Sequence, residues 1–300
     1  MCATQRHHGG ALRAMSASAA TQHPGQAPAT LGILAGSGYL PRQLIEHCIS
    51  ESRPIFIVAI EGETAPETVE GAPHAWLRLG AVGEALDHMK KAGVTELVLA
   101  GKINRPSLSS LRPDAIGAKL VAKLGLSLFG GDAAIFKTIV AFLESHGMRV
   151  VGIDEVMQDL VAPEGPMGKV LPDKQNQKDI ELGAKVARSI GAFDIGQAVI
   201  VKNSLVLGIE AVEGTDELIA RCSMLKGDGK GGVLVKAHKL VQEKRVDLPT
   251  IGLKTVEMIH KAGFAGIAIE ARHSIVVGRR EVIRAANDMG IFIIGFSLQE

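Results

Sequence analysis

Short apolar runs recur along the first half of the chain at intervals that a helix would fill. Leu31–Ala35, Ile55–Ile60, Trp76–Leu79, Glu96–Ala100 and Met148–Gly152 read as strands of the buried type. Between them lie Pro41–Ser50, Ala81–Ala92, where Val82, Leu86 and Met89 keep helical spacing, and Ala133–Ser145. Strands alternating with helices predict a Rossmann-like parallel sheet over residues 31–160. Pro113–Leu128 adds a helix with Ile116, Leu120, Val121 and Leu124 on one face and Lys119 and Lys123 beside it. That pattern serves a core-facing helix or a basic amphipathic helix that meets lipid.

From Asp159 the periodicity stops. Ala162-Pro-Glu-Gly-Pro-Met-Gly168 is rich in turn residues, so residues 161–173 read as a linker. Residues 174–300 form a second α/β pattern, with helices at Asp179–Ile190, Glu217–Leu225, Leu253–Ala262 and Arg279–Met289. Its strands are Gly266–Glu270, Ile291–Gly295 and the run Gly232–Lys236. Ala198–Val201 and Leu205–Ile209 flank Asn203-Ser204 and predict a hairpin. The fold class is therefore α/β with two domains, the first a Rossmann-like parallel sheet and the second mixed, with an antiparallel hairpin. Residues 1–30 hold Ala, Ser, Thr, Gln, Gly and His without apolar periodicity or a signal-peptide core, and read as a disordered leader.

Composition narrows the function. Three hundred residues at 46% hydrophobic content suit two medium cores, and a net charge of +1 projects no long-range field toward a polyanion. Aromatics at 3% leave few stacking platforms, so nucleic acid is not an expected partner. Cys2, Cys48 and Cys222 are odd in number and widely spaced, which fits a reducing compartment. With no apolar run long enough to span a bilayer, a cytoplasmic location is expected.

Candidate chemistry gathers where apolar runs end. Gly36-Ser37-Gly38 opens like a dinucleotide fingerprint, but Pro41 stands where the third glycine belongs. Small residues there still let backbone N–H groups and Ser37 approach an anion, or simply make a tight turn. Lys102 and Arg105 follow another strand and are suited to phosphate or to plain solvation. Asp132 after Gly131 is a good helix N-cap. Phosphate-loop, Gly-x-Ser-x-Gly and His-Glu-x-x-His motifs are missing, and His238, His260 and His273 lack the spacing of a zinc set. What remains is Asp132, Glu213, Asp216 and Asp247 with Lys102, Lys236 and hydroxyls, an inventory that fits Mg²⁺ and phosphate oxygens. Thr215, Asp216 and Glu217 can equally cap and charge a helix start.

Six pieces occur in order: Leu31-Gly-Ile-Leu-Ala-Gly-Ser-Gly38, Gly130-Gly-Asp132, Asp194-Ile-Gly-Gln-Ala-Val-Ile200, Glu213-Gly-Thr-Asp216, Gly232-Val-Leu-Val-Lys236 and Asp247-Leu-Pro-Thr-Ile-Gly252. As a set, spread over about residues 31–297, they resemble the bacterial UDP-2,3-diacylglucosamine pyrophosphatases of the alphaproteobacterial type. The resemblance implies a Mg²⁺-dependent hydrolase acting on an acid anhydride in lipid A biosynthesis, with the glycolipid bound between two domains. Its products would be UMP and 2,3-diacylglucosamine 1-phosphate. By the resemblance, Asp247 is the essential aspartate, and Thr215, Asp216 and Lys236 match motif positions of the same catalytic set, with Asp247 and Asp216 the candidate metal ligands. Substrate-binding candidates are Gly36, Ser37, Gly38, Lys102, Arg105, Gly131, Asp132, Gln197 and Thr250. A glycolipid substrate leaves room for peripheral contact with the inner-membrane surface. Two other readings stay open: a nucleotide-sugar or dinucleotide-dependent oxidoreductase, supported by Gly36-x-Gly38 with Glu61, and a non-catalytic glycolipid-binding protein.

Overall fold

Strand β1 (Thr30–Ala35) is the centre of the first sheet, buried on both faces as its unbroken apolar run requires. The structure, a computed structural model, describes residues 29–104, 111–127, 132–229, 231–240 and 243–298. On one side of β1 lie β2 (Ile55–Ile60) and β3 (His74–Leu77); on the other lie β4 (Val94–Ala100) and β5 (Arg149–Val150). All pairings are parallel, so the sheet of order β3-β2-β1-β4-β5 is the expected Rossmann-like parallel one. Helices α1 (Leu40–Ser50), α2 (Pro66–Val69), α3 (Val82–Lys91), α4 (Ala115–Ser127), α5 (Asp132–Glu144) and α6 (Ile153–Val156) belong to this half.

One carboxylate organises two of those helices. Asp114 accepts from Gly83 and Glu84 at the start of α3, and from Gly117 in α4. Burial alone would push its acidity down, but these amide donors outweigh it and hold its pKa below the usual value. On α4, Ile116 packs against the sheet core, while Leu120, Val121 and Leu124 remain partly exposed.

The second sheet has the order β6-β13-β11-β9-β7-β8. Its members are β6 (Gly165–Pro166), β7 (Ala198–Lys202), β8 (Leu205–Ile209), β9 (Val233–Lys236), β11 (Gly266–Glu270) and β13 (Phe292–Phe296). β9, β11 and β13 run parallel; β6 and the β7–β8 hairpin are antiparallel. The fold is thus α/β with one parallel and one mixed sheet. At the hairpin tip Asn203 and Ser204 both take positive φ, as a tight primed turn demands. Their amides donate to the buried Asp179 carboxylate.

Several boundaries differ from the sequence reading. Helix α7 runs Lys174–Ala192, a turn and more before Asp179, because Asp173 caps it by accepting from Asn176. Helix α8 spans Gly214–Leu225, so Thr215 and Asp216 lie inside its first turn rather than capping it. Within the turn-rich stretch, Gly165–Pro166 pairs with β13 and Val161 bridges Ile275. A two-stranded parallel ladder was not foreseen: β10 (Thr250–Ile251) beside β12 (Ile275–Val276). It is the joint of the molecule. Leu248, Ile275 and Val277 pack into the core around β1, whereas Ile251 and Val276 pack into that around β11, with α9 (Leu253–Ala262) and α10 (Arg279–Met289).

Candidate active site

The site grows from the end of β9. An apolar strand buried on both faces carries Lys236 to its carboxyl end, where the residue is only 5% exposed. Lys236 Nζ donates to the Thr215 hydroxyl at 3.1 Å and to the Thr250 carbonyl at 3.1 Å. Thr215 Oγ1 in turn donates to Glu210 Oε1 at 2.6 Å, and the other Glu210 oxygen accepts from the Gln197 amide at 3.0 Å. Two buried charges of opposite sign are thus bridged by one hydroxyl, the arrangement that makes their burial tolerable. Thr215, Lys236, Thr250 and Gln197 meet here as four of the predicted residues. Glu210 was the member that sequence reading left out of the site, although it ends the apolar run of β8.

A second charged group follows three residues on. Lys239 is 6% exposed and its Nζ lies 2.6 Å from Asp194 Oδ1 and 3.8 Å from Asp247 Oδ2. The other oxygen of Asp194 accepts from the Ala133 amide in the first turn of α5, at 3.1 Å. Residues 243–252 carry Asp247 along the joint. Val246 packs against the first sheet's core, and Arg245 pairs with Glu243 and, on α5, with Glu144. The Arg245 guanidinium holds the Glu243 carboxyl below its usual pKa, against the opposing effect of burial.

Asp216 stands apart from this arrangement. Its Oδ2 lies 2.5 Å from Lys254 Nζ, with side chains 47% and 76% exposed. The side chain faces solvent because the position falls on the outer surface of the first turn of α8, where a carboxylate suits the helix dipole. Among the described residues no group of three metal-ligating side chains includes Asp216 or Asp247. Asp247 Oδ2 lies 3.8 Å from the buried Lys239 ammonium, so a cation taking one or two protein carboxylates would share that carboxylate with a fixed charge and complete its shell with substrate oxygens. Asp216, paired with Lys254 in solvent, lies apart from that carboxylate.

The group of three that does come together is His238, Glu270 and His273, with ligand atoms within 4.8 Å of one another. Spacing in the sequence gave no sign of it, because β9 and β11 bring the strand ends together only in the sheet. Glu270 Oε2 accepts from the amide and Nδ1 of His238, and Oε1 accepts from Arg188 at 2.9 Å. Burial would raise the Glu270 pKa, yet the His238 hydrogen bonds and the Arg188 charge more than offset it and keep the group ionised. Since a carboxylate only accepts, His238 carries its proton on Nδ1, and Nε2 faces the Arg188 guanidinium at 3.4 Å. A cation entering here would meet a fixed positive charge, so the cluster is a closed internal network. Burial, then the nearby His238 and Lys244, push the His273 pKa down.

On the first sheet, Gly36-Ser37-Gly38 and Gly101-Lys102 interlock at the strand ends. Ser37 bridges Lys102 in antiparallel fashion, and both its amide and its hydroxyl donate to the Lys102 carbonyl. A Cβ on Gly36 would fall 2.5 Å from that carbonyl oxygen, and Gly38 has φ +95°. The glycines therefore serve this close backbone approach. Lys102 is exposed at the rim. Arg105 and Gly131 lie outside the described residues, as does the side chain of Asp132, whose backbone starts α5. Residues 1–28 of the expected leader lie outside them too.

Two α/β sheets joined by a shared parallel ladder, with buried lysines and carboxylates at the strand ends beside that joint, define a two-part α/β protein with a charged central site. The chain belongs to the LpxI family: the LpxI N-terminal domain model matches residues 30–160 and the LpxI C-terminal domain model matches residues 163–294. It is 38% identical over 276 residues to the UDP-2,3-diacylglucosamine pyrophosphatase LpxI of Caulobacter vibrioides, covering 90% of this chain and 98% of that protein. Among solved structures, UDP-glucose 4-epimerase of Thermus thermophilus in complex with NAD is 10% identical, over 90% of this chain and 85% of that one, with a TM-score of 0.31. The biotin carboxylase domain of Hydrogenobacter thermophilus 2-oxoglutarate carboxylase is 16% identical over 58% and 35%, with a TM-score of 0.21. Likeness that slight bears on neither fold nor chemistry.

Proposed function

We propose that this chain hydrolyses the pyrophosphate bond of UDP-2,3-diacylglucosamine, giving UMP and 2,3-diacylglucosamine 1-phosphate for lipid A biosynthesis. The observation that carries the reading is its identity, across nearly the whole length of both chains, to the Caulobacter protein of that activity. The site supports it chemically. A diphosphate is polyanionic, and Lys236 places an ammonium group at the carboxyl end of β9 beside the joint. It is held by the Thr215 hydroxyl and the Thr250 carbonyl, so its charge is oriented before a substrate arrives, which is what stabilises developing negative charge. Asp247 is the group we assign to orienting the attacking water. Mg²⁺ would be held by Asp247 together with substrate oxygens, and when bound would supply charge neutralisation on the phosphates. Water's oxygen forms the new bond to the β-phosphorus, and the bridging P–O electrons leave on UMP.

No helix among the described residues is long and apolar enough to cross a membrane. The acyl chains must nevertheless leave water, and the partly exposed apolar face of α4 is the surface we assign to them or to the membrane. Incubating the purified chain with the substrate and Mg²⁺, with mass spectrometry of the products, tests the reading. Equimolar UMP and diacylated sugar 1-phosphate are expected; release of UDP would refute it. In heavy-oxygen water the label should enter the sugar 1-phosphate. Turnover should vanish on chelation and return with Mg²⁺; full turnover in excess chelator would remove the metal. Asp247→Ala should fold and lose turnover by on the order of 10²-fold.

A further inference from the structure

We infer that Asp194 and Lys239 form a positioning pair for Asp247, an ionic bridge by which the second sheet's strand end is tied to helix α5 of the first half. This rests on the assignment of Asp247 to the reaction. Three observations converge on it. Asp194 follows α7 with φ +56°, a left-handed conformation that an aspartate tolerates better than most residues, and its amide is bonded to the Gly191 carbonyl. Both oxygens of its carboxylate bond outside its own helix. One oxygen meets Lys239 at 2.6 Å and the other the Ala133 amide at 3.1 Å.

Lys239 is fixed from the other side as well. A Cβ on Gly191 would lie 3.3 Å from Lys239 Cα and 3.3 Å from its Cγ, so the last turn of α7 packs directly against the lysine stem. Its side chain is 7% exposed and that of Asp194 15%, so neither charge is solvated freely and the pair is not the weak kind found on surfaces. Asp247 Oδ2 stands 3.8 Å from the same ammonium. One buried cation is therefore shared by two carboxylates, strongly with Asp194 and more loosely with Asp247. The strong contact fixes the ammonium, and the fixed ammonium limits where the Asp247 carboxylate can sit. Asp194 also engages the positive end of α5, where the helix dipole favours an anion. The bridge thus registers the two halves on either side of the site. Lys239 acts through Asp247 in this scheme and does not itself contact the reacting atoms.

A double-mutant cycle tests it. In the wild-type background Lys239→Met should lower kcat by on the order of 10²-fold with KM changed by less than about threefold. In an Asp247→Asn background the same substitution should lower kcat by less than about threefold, because the group it positions is already gone. Equal losses in both backgrounds would overturn the inference. Amide hydrogen exchange gives a second readout that needs no turnover. Lys239→Met and Asp194→Asn should each speed exchange at Ala133 by about tenfold or more, leaving the centre of β1 unchanged. Unchanged exchange at Ala133 in the folded variants would refute the bridge. Absence of wild-type turnover would sink the enzymatic reading instead, and the exchange arm would still decide the bridge. Asp194→Asn, which is isosteric, serves where Lys239→Met does not fold.

Discussion

Thr215→Val is the sharpest probe of the buried charges at the end of β9. The hydroxyl donates to Glu210 at 2.6 Å and accepts from Lys236 at 3.1 Å, so both of its bonds involve a charged partner. Hydrogen bonds to charged groups contribute roughly 1.5–3 kcal/mol each. Valine matches the shape of threonine, so little cavity is added, and the loss is that of the two bonds. Each ion keeps one other partner: Lys236 the Thr250 carbonyl and Glu210 the Gln197 amide. That retention places the expected loss near the lower end of the summed range, about 3 kcal/mol. Thr215→Ser keeps the hydroxyl and removes one methyl, for a loss of about 1 kcal/mol. Urea unfolding of the three proteins, followed by fluorescence and circular dichroism, measures the difference. Turnover should fall with Thr215→Val and persist with Thr215→Ser, since Lys236 loses a fixed position only in the former. A valine variant within about 0.5 kcal/mol of wild type would mean that the bridge carries no stability, the size of an ordinary surface change.

Three further outcomes follow from the same geometry. Asp216→Ala should leave the unfolding midpoint and kcat near wild type, because its partner Lys254 lies in solvent; a large loss of turnover would return Asp216 to the site. His273 has a folded-state pKa below its ordinary value, so the unfolded chain binds the extra proton first; stability is fully present above about pH 6.5 and declines as pH falls through the lowered pKa. His273→Asn should flatten the part of the stability–pH slope just below pH 6.5, and an unchanged slope would refute the assignment. Replacing Leu120 and Leu124 together by Ser should raise KM for the diacylated substrate with a small change in melting temperature; a large fall in melting temperature would mark the face as core.

Much of the architecture was legible in the chain. Helices α9 and α10 and strand β11 fall where the sequence places them, because their apolar periodicity is local and long enough to bury a face. The hairpin was legible from Asn203-Ser204, since only a few residue types accept two consecutive positive φ values. The ordered motifs pointed to the family, since the residue types at strand ends and their order are read from the chain without reference to any contact. What the sequence could not contain was partnership at a distance. β10 and β12 are two residues each, too short to carry a period, and exist only because their partners, 25 positions apart, lie side by side. Asp216 and Asp247 look alike as acids after apolar runs, yet one faces solvent beside Lys254 and the other meets Lys239 at the joint. Asp194 and Lys239 are 45 positions apart. A local pattern determines which face of an element is apolar; which charge lies opposite which is decided by the packing of those faces, and here that packing built the site.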